Sequence, residues 1–433
     1  MKKILLLCYL ILIITAGLFS LPVDPSDEIY RYLDLWRKKG YIVSLPAVRP
    51  YPHQVLIKLL GQVENCGNSR ARKNARYFLA KLVNRPQVFA VSPYQESFIS
   101  KAGHYSNTGV DFSADGLLKP WLSISARGGG LLESNSLISE DVLPYGVRLE
   151  RDMYHHRDQA KIGNFEANPA LVSIVAFGTE EFYFQTGFNR TAFGPFLGDS
   201  VVVSEDAPHA GHFSLTWNGK KANFTKLLLA LTAQTNSGTG VYNQKYLSLT
   251  SLDWQFASWG QIGYVGSIVY GGYLDPVYFI PLTDLMYQTL VQGDKSNSHI
   301  GLYGSLYLPA YLTWDLIFYA DDLHFNDIVT FNWNTRWKFV LQSALSWSPG
   351  GRIFKDLGLE YTMVTPYTYT HPAHSYEAVS AEETWLPDTV NYLNYTHAGQ
   401  NLGVSLPPNS MRLVFKTWLT PSPELDLDLR GSW

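Results

Sequence analysis

Cysteine and charge are both scarce in this sequence. Only two of its 433 residues are cysteines, and charged residues make up 16% of the chain, against about 25% in ordinary soluble domains. Cys8 lies in the apolar N-terminal run, so loss of that run leaves Cys66 alone and excludes an intramolecular disulfide. Loss of Lys2 and Lys3 with the same run leaves 32 of the 34 basic residues against 37 acidic ones, a net charge of −5. This balance gives no support for nucleic-acid binding.

Long apolar runs are absent after the N-terminus. Two lysines precede an apolar stretch from Ile4 to Phe19, and Ala16 or Ser20 supplies a small residue for cleavage. This pattern predicts a signal peptide over residues 1–20, which implies export. The stretch is shorter than the ~20 apolar residues that a spanning helix needs. We therefore expect a mature chain without a transmembrane helix.

Motifs of catalysis are also missing. The sequence has no Gly-rich phosphate loop, no Gly-x-Ser-x-Gly and no dinucleotide fingerprint. Carboxylates occur in adjacent pairs, such as Glu205-Asp206 and Asp321-Asp322, but neighbours on a strand point to opposite faces and cannot flank one glycosidic bond. His155-His156 and His209-x-x-His212 have no third ligand at a recognisable spacing. We predict no enzyme activity, no cofactor and no metal; an outer-membrane enzyme is the third of three hypotheses.

Residues 21–87 are predicted to form an N-terminal periplasmic helical region. Asp24-Pro25 is typical of a helix start, and Gly40 of a helix end. A second helix is predicted from near Pro52, and a third from about Ser69 to Val83. The basic outer face of the third helix indicates a solvated surface or, alternatively, an electrostatic contact with anionic lipid or polymer. We expect this small bundle to be stabilised by docking against the rest of the chain.

From about Phe89 onward, the sequence alternates with a period of two. On one strand, the residues predicted to face out are Leu312, Trp314, Leu316 and Phe318, and those predicted to face in are Thr313, Asp315, Tyr319 and Asp321. Leu227, Leu229, Leu231 and Ala233 share one face of another strand. Residues 88–433 are therefore predicted to form an all-β, transmembrane antiparallel β-barrel. At roughly 18–22 residues per strand and turn, about 16–18 strands are expected, and an even number.

The end of the chain supports an outer-membrane location in a diderm bacterium. Apolar and charged residues alternate from Leu425 to Arg430, and the chain stops on Trp433. This arrangement resembles the C-terminal strand by which outer-membrane barrels are delivered to their insertion machinery, and the alternative is an edge strand of a soluble β-protein. Outer-membrane lipid is then a partner, and a monomer is expected. The 28 Tyr and 12 Trp fit interfacial girdles or sugar stacking, which counting does not separate.

Charged residues of both signs are predicted to face the lumen, where they would form a network of ion pairs. They are Arg127, Arg148, Glu150, Asp152, Arg336, Lys338, Glu360, Arg412, Lys416, Asp426, Asp428 and Arg430. Such a network would fill a barrel. A charged lumen also favours the alternative hypothesis, an outer-membrane porin or specific diffusion channel.

The central strands carry a family resemblance. The matching segments are Phe184–Pro195, Asp199–Pro208, Val269–Gly272, Tyr278–Pro281, Asp321-Asp322 and Glu360–Tyr369, with Arg49-Pro50-Tyr51 and Leu59-Leu60 in the helices. In their order and spacing these segments resemble the Wzi capsule-assembly family over nearly the whole mature chain. The family landmark of a Gly-Arg pair stands here as Gly187-Phe-Asn-Arg190, and the chain stops where family members continue for several strands.

The resemblance implies an outer-membrane β-barrel that binds or anchors surface polysaccharide as a lectin, without catalysis. The ligand-binding residues it suggests, together with loop aromatics, are Asn189, Arg190, Gly194, Pro195, Glu205, Asp206, Tyr278, Asp321, Asp322, Tyr367, Tyr369 and Trp385. Trp254 and Trp259, near Gln261, are predicted to form a further sugar-stacking pair in an extracellular loop. For each of these residues, ordinary packing is the alternative.

Overall fold

The structure, a computed structural model, describes thirteen stretches of the chain. They are residues 24–83, 88–100, 103–135, 160–162, 165–194, 199–235, 241–280, 296–322, 330, 337–351, 353–371, 390–422 and 425–433. The predicted signal peptide, the predicted site residues Pro195 and Trp385, and four of the charged residues predicted to face the lumen lie outside these residues. The four are Arg148, Glu150, Asp152 and Arg336.

Three helices precede the strands: α1 (Glu28–Lys38), α2 (His53–Cys66) and α3 (Ser69–Val83). The prediction that Asp24 caps the first helix is wrong. Asp24 accepts hydrogen bonds from the backbone and hydroxyl groups of Ser26, whereas Asp27 accepts the Ile29 N–H at 3.0 Å and is the N-cap. A local turn at Asp24 therefore satisfies that carboxylate before the helix begins. Within the described residues, no helix has the length and apolar character needed to cross a bilayer.

Strands make up most of the remaining described chain. They are β1 (Val48–Arg49), β2 (Val88–Ser100), β3 (Gly103–Lys119), β4 (Leu122–Asn135), β5 (Ala160–Ile162), β6 (Phe165–Gly178), β7 (Phe182–Asn189), β8 (Ala192–Phe193), β9 (Ala210–Asn218), β10 (Ala222–Thr235), β11 (Val241–Ala257), β12 (Gly260–Gly271), β13 (Ser296–Leu308), β14 (Leu312–Asp322), β15 (Lys338–Trp347), β16 (Phe354–Val364), β17 (Val390–Asn391), β18 (Thr396–His397), β19 (Gln400–Asn401), β20 (Ser410–Ser422) and β21 (Leu425–Ser432). Single 3₁₀ turns lie at Pro276–Phe279 and Pro309–Tyr311.

One antiparallel sheet of seventeen described strands forms the barrel wall. Fifteen of them pair in the order β2-β3-β4-β6-β7-β9-β10-β11-β12-β13-β14-β15-β16-β20-β21, while the short strands β5 and β17 pair with β6 and β10. The described ladder has fifteen strands, an odd number where an even one was predicted, and the two short strands bring the total to seventeen, within the predicted 16–18. Because every pairing is antiparallel, β2 and β21 run in the same direction. The described residues show no pairing between these two end strands.

Side chains alternate across the wall as the sequence predicts. On β14, Trp314 and Leu316 are exposed on the outside, whereas Thr313, Asp315 and Tyr319 are buried inside. Residues on the outer face of other strands, such as Leu302, Leu345 and Leu429, are likewise exposed and apolar. The face shared by Leu227, Leu229 and Leu231 points inward, because a loop packs against it there (below). The wall therefore has the apolar outer band of a membrane barrel.

Exposed aromatic residues form a girdle at one end of the barrel, where most of the turns are short. The girdle comprises Trp121, Phe182, Trp217, Trp254, Trp259, Tyr311, Trp314 and Trp347. Trp254 and Trp259 therefore lie at this end, on the outside, while Gln261 points inward to the helices. The prediction that they form an extracellular sugar-binding pair is wrong, because the tight turn that joins β11 to β12 places them beside the short connections. Short turns mark the periplasmic end of such barrels.

The three helices plug this short-turn end and contact strands around most of the sheet. Arg31 pairs with Asp428 of β21 at 3.4 Å, and His53 Nε2 lies 2.9 Å from Asp115 Oδ1 of β3. Further contacts join Arg37 to Gln261 of β12 at 3.2 Å, Lys38 to Asp356 of β16 at 3.2 Å, and Gln54 to Gly178 of β6 at 3.4 Å. Tyr32 and Trp36 share a core with Trp418 of β20. The helical region thus connects both ends of the sheet.

Lys38 anchors this docking through a largely buried ion pair. Burial acts to lower the pKa of Lys38, but Asp356 outweighs burial, and the pKa lies above its ordinary value. The raised pKa means that the stabilisation is present at neutral pH and is lost only as the pH rises through the range in which lysine deprotonates.

Replacing Lys38 by Met should destabilise the protein by about 3 kcal/mol, because Asp356 would keep its charge in a partly buried position without its cation. Lys58→Met, on α2, is the matched control, since Lys58 makes no ion pair among the described residues. The midpoint of the heat-dependent shift in gel mobility measures the difference. Equal midpoints for the two variants would show that the Lys38–Asp356 ion pair does not hold the helices in the barrel.

The alternation of lipid-facing and lumen-facing side chains is tested with single cysteines introduced into the Cys66→Ser variant. A lipid-soluble maleimide in reconstituted bilayers should label Leu302→Cys, whose side chain faces out, and leave Tyr303→Cys unlabelled, because Tyr303 points into the barrel. Labelling at both positions would contradict the assigned faces.

Candidate functional site

The loop between β8 and β9 fills the lumen from the long-loop end. Val201, Val202 and Val203 are at most 1% exposed and pack against inward residues of β10, β11 and β12. This apolar contact explains why the leucines of β10 face inward. The loop also joins the N-terminal region: β1 pairs with β8 inside the barrel, and the Gly194 N–H donates to Ala47 O at 2.8 Å. Gly194 has φ of +78°, a conformation that glycine adopts without strain.

A second loop, between β16 and β20, packs on the first. The Tyr369 hydroxyl donates to Val201 O at 2.5 Å, and the Tyr395 hydroxyl donates to Val202 O at 2.7 Å. The two rings stack with centroids 5.3 Å apart. Ser204 also donates its N–H to Leu402 O at 2.7 Å. Two separate loops therefore form one hydrogen-bonded and apolar unit inside the barrel, which we call the luminal plug (residues 199–209, 366–371 and 390–405).

Asp199 fastens this luminal plug to the wall. Its carboxylate accepts hydrogen bonds from the hydroxyl and, at 3.0 Å, the N–H of Ser405, and it pairs with Arg412 of β20 at 3.3 Å. Burial acts to raise the pKa of Asp199, but Arg412 and Ser405 outweigh it, so the pKa lies below its ordinary value. The contribution of this pair is therefore present above the ordinary pKa of an aspartate and is lost as the pH falls through the lowered one. Gln342 of β15 adds a bond to Asp199 O at 2.8 Å.

Asp321, at the end of β14, fastens the luminal plug to the wall at a second strand. One carboxylate oxygen accepts the Tyr369 N–H at 2.9 Å, and the other lies 3.3 Å from His299 Nε2. The His299 ring stacks on Tyr319 with centroids 5.5 Å apart, and Tyr319 donates its hydroxyl to Tyr395 at 3.1 Å. Asp322 lies next to it on β14. The landmark residues Asp321 and Tyr369 are thus direct partners.

Asn189 and Arg190 lie at the end of β7 and are buried. Arg190 Nε donates to His209 Nδ1 at 3.3 Å, and the Asn189 amide donates to the Arg190 carbonyl. Thr191 bonds to His212 at 2.9 Å. These contacts fix the start of the loop that enters the lumen.

Glu205 and Asp206 lie at the inner tip of that loop and are half-buried. The Asp206 N–H donates to Ser204 Oγ at 3.0 Å, and Glu205 interacts electrostatically with Lys416 of β20. The same lysine is influenced by Asp428 and by Arg31 of α1. The loop tip therefore reaches toward the helices that enter from the opposite end.

Tyr278 lies outside the barrel. The segment Asp275–Ile280 folds over the outer wall, where the Tyr278 ring packs against Tyr270 with centroids 4.3 Å apart and the Tyr278 carbonyl accepts the Ser248 hydroxyl at 2.9 Å. Phe279 reaches Phe213 of β9. This family landmark is therefore separated from the luminal group by the wall itself.

Tyr367 is the exposed member of the set among the residues whose burial the structure describes. It follows β16 in a turn at the edge of the luminal plug, with φ of +67° and 55% exposure. Thr370 fixes the turn by donating its N–H and its hydroxyl to Tyr367 O at 3.2 and 2.7 Å. An aromatic face held on a rigid turn at the long-loop end is a suitable platform for the C–H face of a sugar ring.

A small cavity of about 40 Å³ lies between α1, the segment around Arg49 and the inner face of β12, β13 and β14. Its lining includes Asp34, Arg37, Lys38, Arg49 and Asp315. Asp34 forms an ion pair with Arg49, and the Arg37 guanidinium lies over the Tyr307 ring at 4.2 Å. Since a water molecule needs roughly 10–15 Å³ of such volume, the cavity suits a few waters rather than a sugar.

Comparison with known proteins adds a fold-level match. No protein-family model and no curated protein sequence matches the chain. Among solved structures, it is similar to Wzi of Escherichia coli, described as an outer-membrane protein involved in group 1 capsule assembly and a carbohydrate-binding β-barrel. The TM-score is 0.59 at 12% identity, over 94% of this chain and 83% of that one.

This chain shares the fold of Wzi. The resemblance predicted from the sequence is confirmed at the level of the fold, and with it an outer-membrane location. Two other solved structures match more remotely. OccK8 (OprE) of Pseudomonas aeruginosa has a TM-score of 0.38 at 10% identity, over 79% of this chain and 82% of that one, and OccD1 (OprD) has a TM-score of 0.36 at 11% identity, over 81% and 90%.

Several residues that organise the luminal plug were not among the predicted site residues. Asp199 pairs with Arg412, and the Tyr395 hydroxyl donates to Val202 O. His397 accepts the Thr232 N–H at Nδ1 and donates from Nε2 to His209 O. Asp199 is the first residue of a segment that resembles the family, but its partner Arg412 lies 213 positions away in the chain. No spacing rule connects such positions.

Arg412→Ala should release the luminal plug and produce ion currents across planar bilayers, because Asp199 would lose its buried cation. We expect the unmodified protein to show no steady conductance. Arg430→Ala is the control, since its ion pair with Asp428 is partly exposed and does not touch the plug. Steady conductance of equal size in all three proteins would show that this plug does not block the lumen.

Proposed function

We propose that this barrel binds surface polysaccharide at its long-loop end and acts as a non-catalytic anchor for capsule or a similar polymer. The observation that carries the proposal is the occupied interior. Val201–Val203 and the stacked Tyr369 and Tyr395 fill the lumen from one end, and three helices fill it from the other. A barrel filled by its own chain suits a binding scaffold better than a diffusion pathway.

The fold match supports the same function. Wzi is described as a carbohydrate-binding barrel involved in capsule assembly, and the similarity extends over 94% of this chain. At 12% identity the match concerns the fold, so the choice of polysaccharide ligand remains our inference from the site.

The proposed contact surface is the rim of the luminal plug around Tyr367. Here the aromatic ring projects to solvent while the turn beneath it is fixed by Thr368, which bonds to Thr365 and to Phe339 O. Asn409 and Ser410 lie beside this turn, with the Asn409 N–H near Thr365 O at 3.4 Å, and supply polar groups for sugar hydroxyls. The buried residues Asn189, Arg190, Asp321 and Tyr369 would hold this surface rather than touch the polymer.

A specific channel is the second candidate function, and charged inward residues favour it. Glu205, Lys416, Asp428 and Arg31 form an electrostatically linked group between the luminal plug and the helices. This group would line a path for charged solutes in a state in which the luminal plug has moved. A solute-specific current that the unmodified protein carries would select this function over the polysaccharide anchor.

Tyr367→Ala should reduce binding of purified protein to capsular polysaccharide on a glycan array by about fivefold or more, because an exposed aromatic contact typically contributes about 1 kcal/mol. Tyr311→Ala is a close control. Tyr311 also has positive φ (+62°) and 52% exposure, but it lies in the short-turn girdle at the other end. Unchanged binding by Tyr367→Ala, or equal loss in both variants, would contradict the proposed surface.

A further inference from the structure

The solvent face of α3 is strongly basic. Its fifteen residues include five cations (Arg70, Arg72, Lys73, Arg76 and Lys81) and no carboxylate. The opposite face is apolar and buried, since Ala71, Ala75, Phe78 and Leu82 pack into the helical core. The cations are therefore directed away from the barrel's interior.

Three of these cations, Arg70, Arg72 and Lys73, have no carboxylate partner among the described residues, whereas Lys81 interacts electrostatically with Asp27 of the segment before α1. Arg76 pairs with Glu64 at 2.8 Å, but both side chains are well exposed, and such surface pairs are weak. Arg70 and Arg72 donate to the backbone carbonyls of Gly351 and Gly67, at 3.0 and 2.7 Å, which carry no net charge. Positive potential thus persists over the helix surface.

The position of α3 is at the short-turn rim of the barrel. Its N-terminal turn contacts the connection between β15 and β16 through Arg70, and its last residue, Val83, lies five positions before Val88, where β2 begins. In sheet order, β16, β20 and β21 lie between these two attachment points. The helix therefore lies close to the level where the wall leaves the membrane.

An exposed tyrosine completes this surface. Tyr77 is 56% exposed, and Lys81 Nζ lies 5.8 Å from its ring centroid. Tyrosine together with lysine and arginine is the combination that proteins place at the headgroup level of a bilayer.

We propose that this basic face of α3 binds anionic phospholipid headgroups, such as phosphatidylglycerol, in the periplasmic leaflet. The lipid holds α3 against the rim and so strengthens the contact of the helices with the two ends of the sheet. Because α3 lies close to the rim, lipid is favoured over a soluble acidic polymer as the occupant. The proposal does not depend on polysaccharide binding at the other end.

The test is native mass spectrometry of detergent-solubilised protein titrated with phosphatidylglycerol or with phosphatidylethanolamine of the same acyl chains. We expect preferential retention of phosphatidylglycerol. The triple variant Arg72→Gln, Lys73→Gln and Arg76→Gln should lower its apparent affinity at least tenfold, because each cation near an anionic surface contributes a factor of about five.

The matched control removes three other exposed cations at the same end: Lys119→Gln at the end of β3, and Lys220→Gln and Lys221→Gln in the turn after β9. It should keep the phosphatidylglycerol preference, and both variants should show the unmodified heat-dependent gel shift, which confirms folding. Equal loss in the two triple variants, or no preference in the unmodified protein, would overturn the proposal. Binding of polyglutamate, but not of phosphatidylglycerol, to the α3 face would also overturn it and assign the face to an acidic polymer.

Discussion

The constraint on which this structure depends is that backbone N–H and C=O groups in a bilayer must be bonded within the protein. A continuous antiparallel ladder from β2 to β21 meets it along the wall. The two end strands run in the same direction, so the same antiparallel rule cannot join them. Here the helical region takes on a structural role, because Arg31 contacts β21 and His53 contacts β3 on either side of that junction. The helical region thus helps to hold the two ends of the wall together.

A wall of period-two strands leaves a wide interior, and that interior must be filled or wetted. In this protein, valines, tyrosines and leucines fill the long-loop half, while ion pairs and aromatic contacts of the helices fill the short-turn half. Asp199–Arg412 and Asp321–Tyr369 tie the inserted loops to the wall at two strands, β20 and β14. Binding surfaces are then left to the rims, where Tyr367 and the basic face of α3 lie at opposite ends.

Much of the local structure followed from the sequence. The faces of β14, the helix from Ser69 to Val83 and the inward position of Glu360 and Arg412 were all predicted, because periodicity and capping act over a few residues. The start of α1 was misplaced by three residues, since Asp24 and Asp27 are both good capping residues and only packing selects between them. The girdle position of Trp254 and Trp259 was also missed, because strand direction depends on the count of strands that precede it.

The sequence by itself determined that the chain is a membrane barrel with a helical N-terminal region. Alternation and helical spacing are local patterns, because each side chain separates toward lipid or core, or toward water, according to its own polarity. Only the tertiary structure decided which landmarks meet. Asp321 and Tyr369 are partners, Glu205 interacts electrostatically with Lys416, and Tyr278 lies on the other side of the wall. Contacts over 48 to 213 residues depend on strand register and loop insertion, which are set by the whole packed interior and by no segment alone.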